Sequence, residues 1–187
     1  MPVNSIIKHM KFINTSIPGV IEIEPHVFGD ERGYFLETYR QDVFLKNGIE
    51  VEFVQDNFSY SKKGILRGIH LQAEPFAQDK LVRVAEGEVF DVAVDLRRDS
   101  RTFGEWVGVN LSESNKKMLF IPKGFGHGFC VVSDYAKFEY KCSAVYSPAH
   151  EFSVAWNDPQ IAINWPIDEP FLSEKDKLAP FLSELVL

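Results

Sequence analysis

Cysteine is nearly absent from this 187-residue chain: only Cys130 and Cys142 occur, with no CxxC pair. That excludes a disulfide scaffold and a cysteine-based zinc site. Both thiols stand in apolar, strand-like contexts, where free cysteine behaves as a small core residue. Long apolar runs are also missing. No segment approaches the roughly 20 apolar residues of a membrane span, and the stretch ahead of His9 has too short an apolar run for a signal peptide. Positive charge is in deficit, with 20 Lys and Arg against 27 Asp and Glu and a net charge of −7. A nucleic-acid-binding face is therefore not expected, although a few local cations can still hold a phosphate-bearing small molecule. These absences describe a soluble cytoplasmic protein with reduced thiols.

What is present is strand signal. Sixteen Phe favour β structure, and period-two alternation dominates. In Glu88–Leu96, Val92, Val94 and Leu96 alternate with Asp91, Ala93 and Asp95. In Glu105–Leu111, Val107, Val109 and Leu111 share a face. Across Ala136–Tyr146, Phe138, Tyr140, Cys142 and Ala144 point one way and Lys137, Glu139 and Lys141 the other. Shorter strands are predicted at Val20–Glu24, Tyr34–Tyr39, Val51–Val54, Ile65–Leu71, Leu81–Ala85, Met118–Ile121 and Phe129–Val132. Turns are predicted at Gly29–Gly33, Lys62–Gly64, Glu86–Gly87 and Asp99–Gly104. Helix is confined to Gln41–Lys46, ended by Asn47-Gly48, and to a segment starting near Ser173 and interrupted at Pro180. About ten short strands so punctuated predict an all-β sandwich, jelly roll or small barrel. No repeat or linker divides the chain, so 1–187 reads as one domain, with 1–9 as a weakly ordered extension.

The chemistry concentrates in a few positions. His70 lies in Gly64-Ile-Leu-Arg-Gly-Ile-His-Leu-Gln72 with Arg67; Lys80 follows, and His127 sits in Pro122-Lys-Gly-Phe-Gly-His127-Gly-Phe129. An imidazole takes a proton near neutral pH, and an ammonium stabilises the negative charge that proton removal creates. These residue types suit proton abstraction next to a carbonyl. Strict alternation sets Arg67 and His70 on opposite faces of a strand, and Gly68 between them marks a candidate bulge.

The Pro122-x-Gly-x-x-His127-x-Phe129 loop resembles the second motif of the cupin superfamily. Where the first cupin motif offers His-x-His and Glu to a metal, this chain has His70-Leu-Gln72 and Lys80. An amide and an ammonium are poor ligands for a divalent metal, so no metal site and no cofactor is expected. Further segments complete a more specific likeness: Phe28–Gly33, Phe53–Asn57, Lys80–Val84, Phe90–Asp95, Phe138–Lys141, Tyr146–Pro148, Trp156–Pro159 and Leu172–Asp176. In order, and together with the two loops above, they resemble the dTDP-4-dehydrorhamnose 3,5-epimerase family.

That resemblance implies a metal-free cupin-type double-stranded β-helix (jelly roll) with a few short helices. The implied activity inverts C3 and C5 of dTDP-4-dehydro-6-deoxy-D-glucose; a relative acting at C3 or C5 alone is the alternative. It makes His70 the base, Asp176 its partner, Tyr140 the acid on the opposite sugar face, and Lys80 the cation near the ketone oxygen, with His127 lining the same pocket. For the nucleotide it points to Arg32, Glu37, Gln55, Asn57, Arg67, Glu151 and Lys175. Arg32 and Glu37 reach a neighbouring subunit's pocket in that family, which implies a homodimer. Two positions depart from the family's usual residues. Gly126 stands where Ala is common, and Phe152 stands where Gly is common, beside the rim at Glu151.

Plainer roles compete for several of these residues. Ser173-Glu-Lys-Asp176 also fits a helix-capping box, Tyr140 shares its face with core residues, and Arg32 could serve only a surface turn. His9, His26 and His150 carry no supporting context and read as solvated.

Overall fold

A computed structural model describes residues 10–185; the extension expected at 1–9 lies outside them. Eleven strands are present: β1 (Lys11–Asn14), β2 (Ile21–Glu24), β3 (Val27–Asp30), β4 (Gly33–Leu36), β5 (Gln55–Lys62), β6 (Leu66–Gln72), β7 (Lys80–Asp95), β8 (Trp106–Ser112), β9 (Met118–Ile121), β10 (Phe125–Cys142) and β11 (Glu151–Ser153). The α-helices are α1 (Gln41–Lys46) and α2 (Glu174–Lys177). Both arise where the sequence predicts. Asn47 and Gly48 end α1, with Gly48 at φ 81°, and Ser173 caps α2 by accepting from the Asp176 amide.

Two long strands organise the sheet. The first part of β7 pairs with β9 and its second part with β8. The first part of β10 lies between β6 and β7, while its second part lies between β5 and β7. Each long strand thus passes from one layer of a sandwich to the other, and both layers are antiparallel. The turn predicted at Glu86–Gly87 is instead a break within β7. Gly87 has φ 82°, and the β7–β10 register shifts opposite it, between Val131 and Ala136. This irregularity lets one strand serve two layers.

Between the layers lies a core that includes Val82, Val84, Ala93, Leu119, Phe129 and Phe138. A second apolar cluster, with Ile69, Val92, Val94 and Trp165, is covered by the C-terminal segment. A third, with Phe44, Ile49, Leu81 and Met118, is covered by α1. Both faces of β7 are therefore buried, and the alternation through Glu88–Leu96 separates two interior faces rather than a dry face from a wet one. Asp91 and Asp95 are fully buried as a result.

Val51–Val54 forms no strand. The strand begins one residue later, at Gln55, with an inverted pattern. Gln55, Asn57, Ser59 and Ser61 turn inward while Asp56, Phe58, Tyr60 and Lys62 turn outward. The predicted Tyr34–Tyr39 strand is the shorter β4, which forms a two-stranded hairpin with β3 apart from the main sheet. Cys130 and Cys142 are buried and unbridged. No described helix is long and apolar enough to cross a membrane.

Candidate active site

Two connected hollows, of about 430 and 380 Å³, open inside the sandwich and share His70, Lys80 and Tyr140 along their walls. Arg67, His127 and Asp176 line the first hollow; Gln55, Asn57, Tyr146 and Glu151 line the second. Ten of the twelve residues singled out in the sequence belong to this neighbourhood, Lys175 through its ion pair with Glu151.

Arg67 and His70 both face the first hollow, and β6 is irregular between them. His127 of β10 pairs with His70, but Phe129 pairs with Arg67, so two steps on β10 oppose three on β6. The expected bulge at Gly68 is present. This residue has φ 122°, and a Cβ there would lie 2.5 Å from Gly128 Cα, so only glycine fits. Arg67 then turns its Nε toward Ser61 Oγ at 3.0 Å.

His70 Nε2 lies 2.5 Å from Asp176 Oδ1, and no other hydrogen bond to the ring occurs among the described residues. Burial opposes ionisation of Asp176, but His70, Ser173 and Lys175 outweigh it and hold the carboxyl below its ordinary range. Asp176 is therefore an anion, placed to fix the tautomer and orientation of the imidazole. Tyr140 lies on the second half of β10. Burial, assisted by Cys142 and Glu151, raises its phenol pKa, so the hydroxyl keeps its proton at neutral pH. That hydroxyl has no protein hydrogen-bond partner among the described residues. Lys80 is almost fully buried with no carboxylate within ion-pair distance among those residues; burial lowers its pKa, against the pull of Cys142, Asp91 and Glu151.

His127 stands against Asp91, its Nε2 at 3.0 and 3.2 Å from the two carboxylate oxygens. Burial pushes the imidazole pKa down, against Asp91, and pushes the Asp91 pKa up, against His127 and Lys80. Below them, Phe138 stacks on Phe129 with centroids 4.2 Å apart, giving the hollow an apolar floor. An imidazole with a carboxylate behind it, a protonated phenol and a buried ammonium around one cavity are chemically suited to moving a proton between the faces of a carbon beside a ketone.

The family model for dTDP-4-dehydrorhamnose 3,5-epimerase matches residues 14–184. The chain belongs to this family. It is 58% identical over 168 residues to the dTDP-4-dehydrorhamnose 3,5-epimerase of Shigella flexneri, covering 89% of this chain and 93% of that protein. To the Salmonella typhimurium protein of the same name it is 56% identical, over 95% of this chain and 98% of the other. Among solved structures, it superposes on a 3,5-epimerase from Legionella pneumophila in complex with dTDP-4-keto-L-rhamnose. The TM-score is 0.92 at 52% identity, with 95% of each chain covered. The protein is accordingly an isomerase of the 3,5-epimerase family, and its sandwich is the cupin-type jelly roll.

Other placements differ from expectation or add to it. Arg32 and Glu37 do not reach this chain's own cavity: Arg32 sits at the tip of the β3–β4 hairpin paired with Asp30 at 2.5 Å, and Glu37 pairs with Arg40 at 3.6 Å. Phe152, beside the rim at Glu151, packs its side chain against the second apolar cluster. At Gly126 a Cβ would meet Ile69 Cγ2 at 2.4 Å, which accounts for glycine there. Two histidines read as solvated have partners: His150 contacts Ser147 Oγ at 2.8 Å and His26 packs edge-on against Phe28; His9 lies outside the described residues. Among the described residues, no cluster of three or more His, Cys, Asp or Glu is placed to hold a metal ion.

Sequence reasoning assigned no role to Asp91 or Tyr146. Asp91 was hidden because an aspartate in an alternating strand gives the same pattern whether it faces water or a buried histidine. Tyr146 joins the wall through its hydroxyl, which donates to Glu151 at 2.7 Å. Its only signal was the Tyr146-Ser-Pro148 run at a strand end.

Proposed function

We propose that the cavity takes dTDP-4-dehydro-6-deoxy-D-glucose and inverts C3 and C5, giving dTDP-4-dehydro-L-rhamnose. The observation that carries this reading is the His70–Asp176 pair sharing one cavity with Tyr140 and Lys80. The C4 ketone makes the hydrogens on C3 and C5 acidic. His70 takes one of them, the C–H bond breaks, and its electron pair moves onto the ketone oxygen as an enolate. Lys80, itself buried, stabilises that developing charge, an effect worth several kcal/mol. Tyr140 delivers its phenolic proton to the opposite face, so the carbon inverts, and solvent restores the proton balance of both groups. The same sequence at the second carbon completes the conversion.

Gln55, Asn57, Glu151 and Lys175 take the nucleotide, and Arg67 with its planar fork suits the diphosphate. Arg32 and Glu37 serve the pocket of a second copy in a homodimer. The hairpin that carries Arg32 projects with Tyr34 and Phe35 exposed, and β5 is an edge strand with Phe58 and Tyr60 outward. Exposed aromatics on a sheet edge mark a surface that another chain covers. We read the whole chain as one catalytic domain acting in the cytoplasm.

The test is incubation with dTDP-4-keto-6-deoxyglucose in heavy water, followed by proton NMR. Deuterium is expected at both C3 and C5 with the wild-type enzyme and at neither with His70→Ala. Exchange at C3 alone would reduce the reading to a monoepimerase. Full exchange in His70→Ala would remove that residue from the mechanism.

A further inference from the structure

Gln72 occupies the position where a metal-binding cupin carries its second histidine, and its amide is fully engaged elsewhere. The residue is 5% exposed, at the end of β6 and two positions beyond His70. Its Nε2 donates to the carbonyl oxygens of Phe76 at 2.7 Å and Val145 at 3.2 Å, and its Oε1 accepts from the amide of Ser147 at 2.7 Å. Val145 and Ser147 flank Tyr146. One side chain therefore grips the backbone on either side of that tyrosine and ties it to the connection leading into Lys80.

Tyr146 is otherwise lightly held. Its side chain is half exposed. Its backbone amide donates to Gln55 Oε1 at 2.9 Å and its hydroxyl donates to Glu151 at 2.7 Å. Glu151 is in turn paired with Lys175. Gln55, Tyr146 and Glu151 line the second hollow, whereas Asp176 lines the first.

We propose that Gln72 is a positioning residue for nucleotide binding, acting through Tyr146. This rests on the reading above that the Gln55–Glu151 end of the cavity takes the nucleotide. A buried amide with two donated bonds and one accepted bond has no equivalent among side chains of similar size. Methionine fills the volume but leaves two carbonyls and one amide unsatisfied. Glutamate still accepts from Ser147 but sets a negative charge against two carbonyl oxygens. The proton-transfer groups make none of these bonds, so the effect is expected on binding rather than on turnover.

The test titrates dTDP calorimetrically into wild-type, Gln72→Met, Tyr146→Ala and doubly substituted enzyme, with KM and kcat measured alongside. Gln72→Met is expected to weaken dTDP binding about tenfold and to raise KM by a similar factor, with kcat held within about threefold. In the Tyr146→Ala background, Gln72→Met is expected to change the dTDP affinity less than about twofold, because residues acting through one another are not additive. If Gln72→Met does not fold, Gln72→Glu is read in the same titration with the same expectation. Unchanged dTDP affinity in the folded variant overturns the proposal. So does an undiminished tenfold effect without Tyr146, or a loss of kcat equal to the rise in KM. Wild-type enzyme that fails to bind dTDP at all overturns the nucleotide reading itself.

Discussion

His70 and Asp176 are separated by 106 positions in the chain and by 2.5 Å in space. The contact joins β6 to the four-residue helix α2, and Ser173 completes it. Ser173 Oγ accepts from the Asp176 amide at 3.1 Å and donates to Asp176 Oδ2 at 2.8 Å. The capping role and the pairing with His70 are therefore not rivals. The cap holds the carboxylate so that its other oxygen meets the imidazole.

Asp176→Asn keeps the shape but removes the charge. The amide carries no charge to stabilise the imidazolium formed when the ring takes a proton from substrate, and its own N–H can select the wrong tautomer. We expect kcat to fall by about 10²-fold or more, with KM for the sugar nucleotide changed little. Steady-state kinetics on the purified variant check this. Retention of more than a tenth of wild-type kcat would reduce Asp176 to its capping role.

Tyr140→Phe separates proton removal from inversion. His70 can still take the hydrogen and return it to the same face, so deuterium should enter from heavy water while the epimerised product falls by about 10²- to 10⁴-fold. NMR follows both in one sample. Inversion at the wild-type rate would show that another group supplies the proton.

Lys80 should set the alkaline limb of the rate profile. Burial lowers its pKa from the ordinary lysine value, whereas burial raises that of Tyr140. As pH rises, loss of the ammonium below the ordinary lysine range should lower kcat, while burial keeps the phenol protonated to higher pH than usual. Lys80→Arg carries a charge that does not titrate in this range, so whatever activity remains should hold to higher pH. A limb at the same pH in both enzymes would assign it elsewhere.

How much was legible follows from what each face touches. The second half of β10 was readable because Phe138, Tyr140 and Cys142 alternate with Lys137, Glu139 and Lys141, and the latter face stays wetter. Helices α1 and α2 were readable from Asn47-Gly48 and Ser173. β5 was not, because its inward face lines a polar cavity and its aromatics point out, which inverts the usual rule. Asp91 was not, because two buried faces on one strand leave nothing in the pattern to distinguish a charge facing solvent from one facing a histidine. The cavity residues emerged through family likeness joined to chemistry. Their assembly rests on a bulge at Gly68 and on strands that change layers, which short-range periodicity does not encode.

Asp95 is a buried charge with no part in the cavity, and it should act on stability alone. Its carboxylate accepts from the Arg97 amide, Nε and Nη2 at 3.1, 2.9 and 2.7 Å, and from Ser100 Oγ and Thr102 Oγ1, both at 2.6 Å. Burial opposes its ionisation, but these donors prevail and hold the pKa far below the ordinary carboxylate value. An asparagine cannot accept from so many donors, and Asp95→Asn should destabilise the fold by about 2–3 kcal/mol at pH 7. A depressed folded-state pKa contributes stability that is fully present above the unfolded value and is lost as pH falls through the folded one. The gap between wild type and variant should therefore stay constant through neutral pH and narrow only in strong acid. Urea denaturation at pH 7, pH 5 and pH 3 measures it. A gap that closes between pH 7 and 5 would mean that a different group, titrating in that range, is responsible.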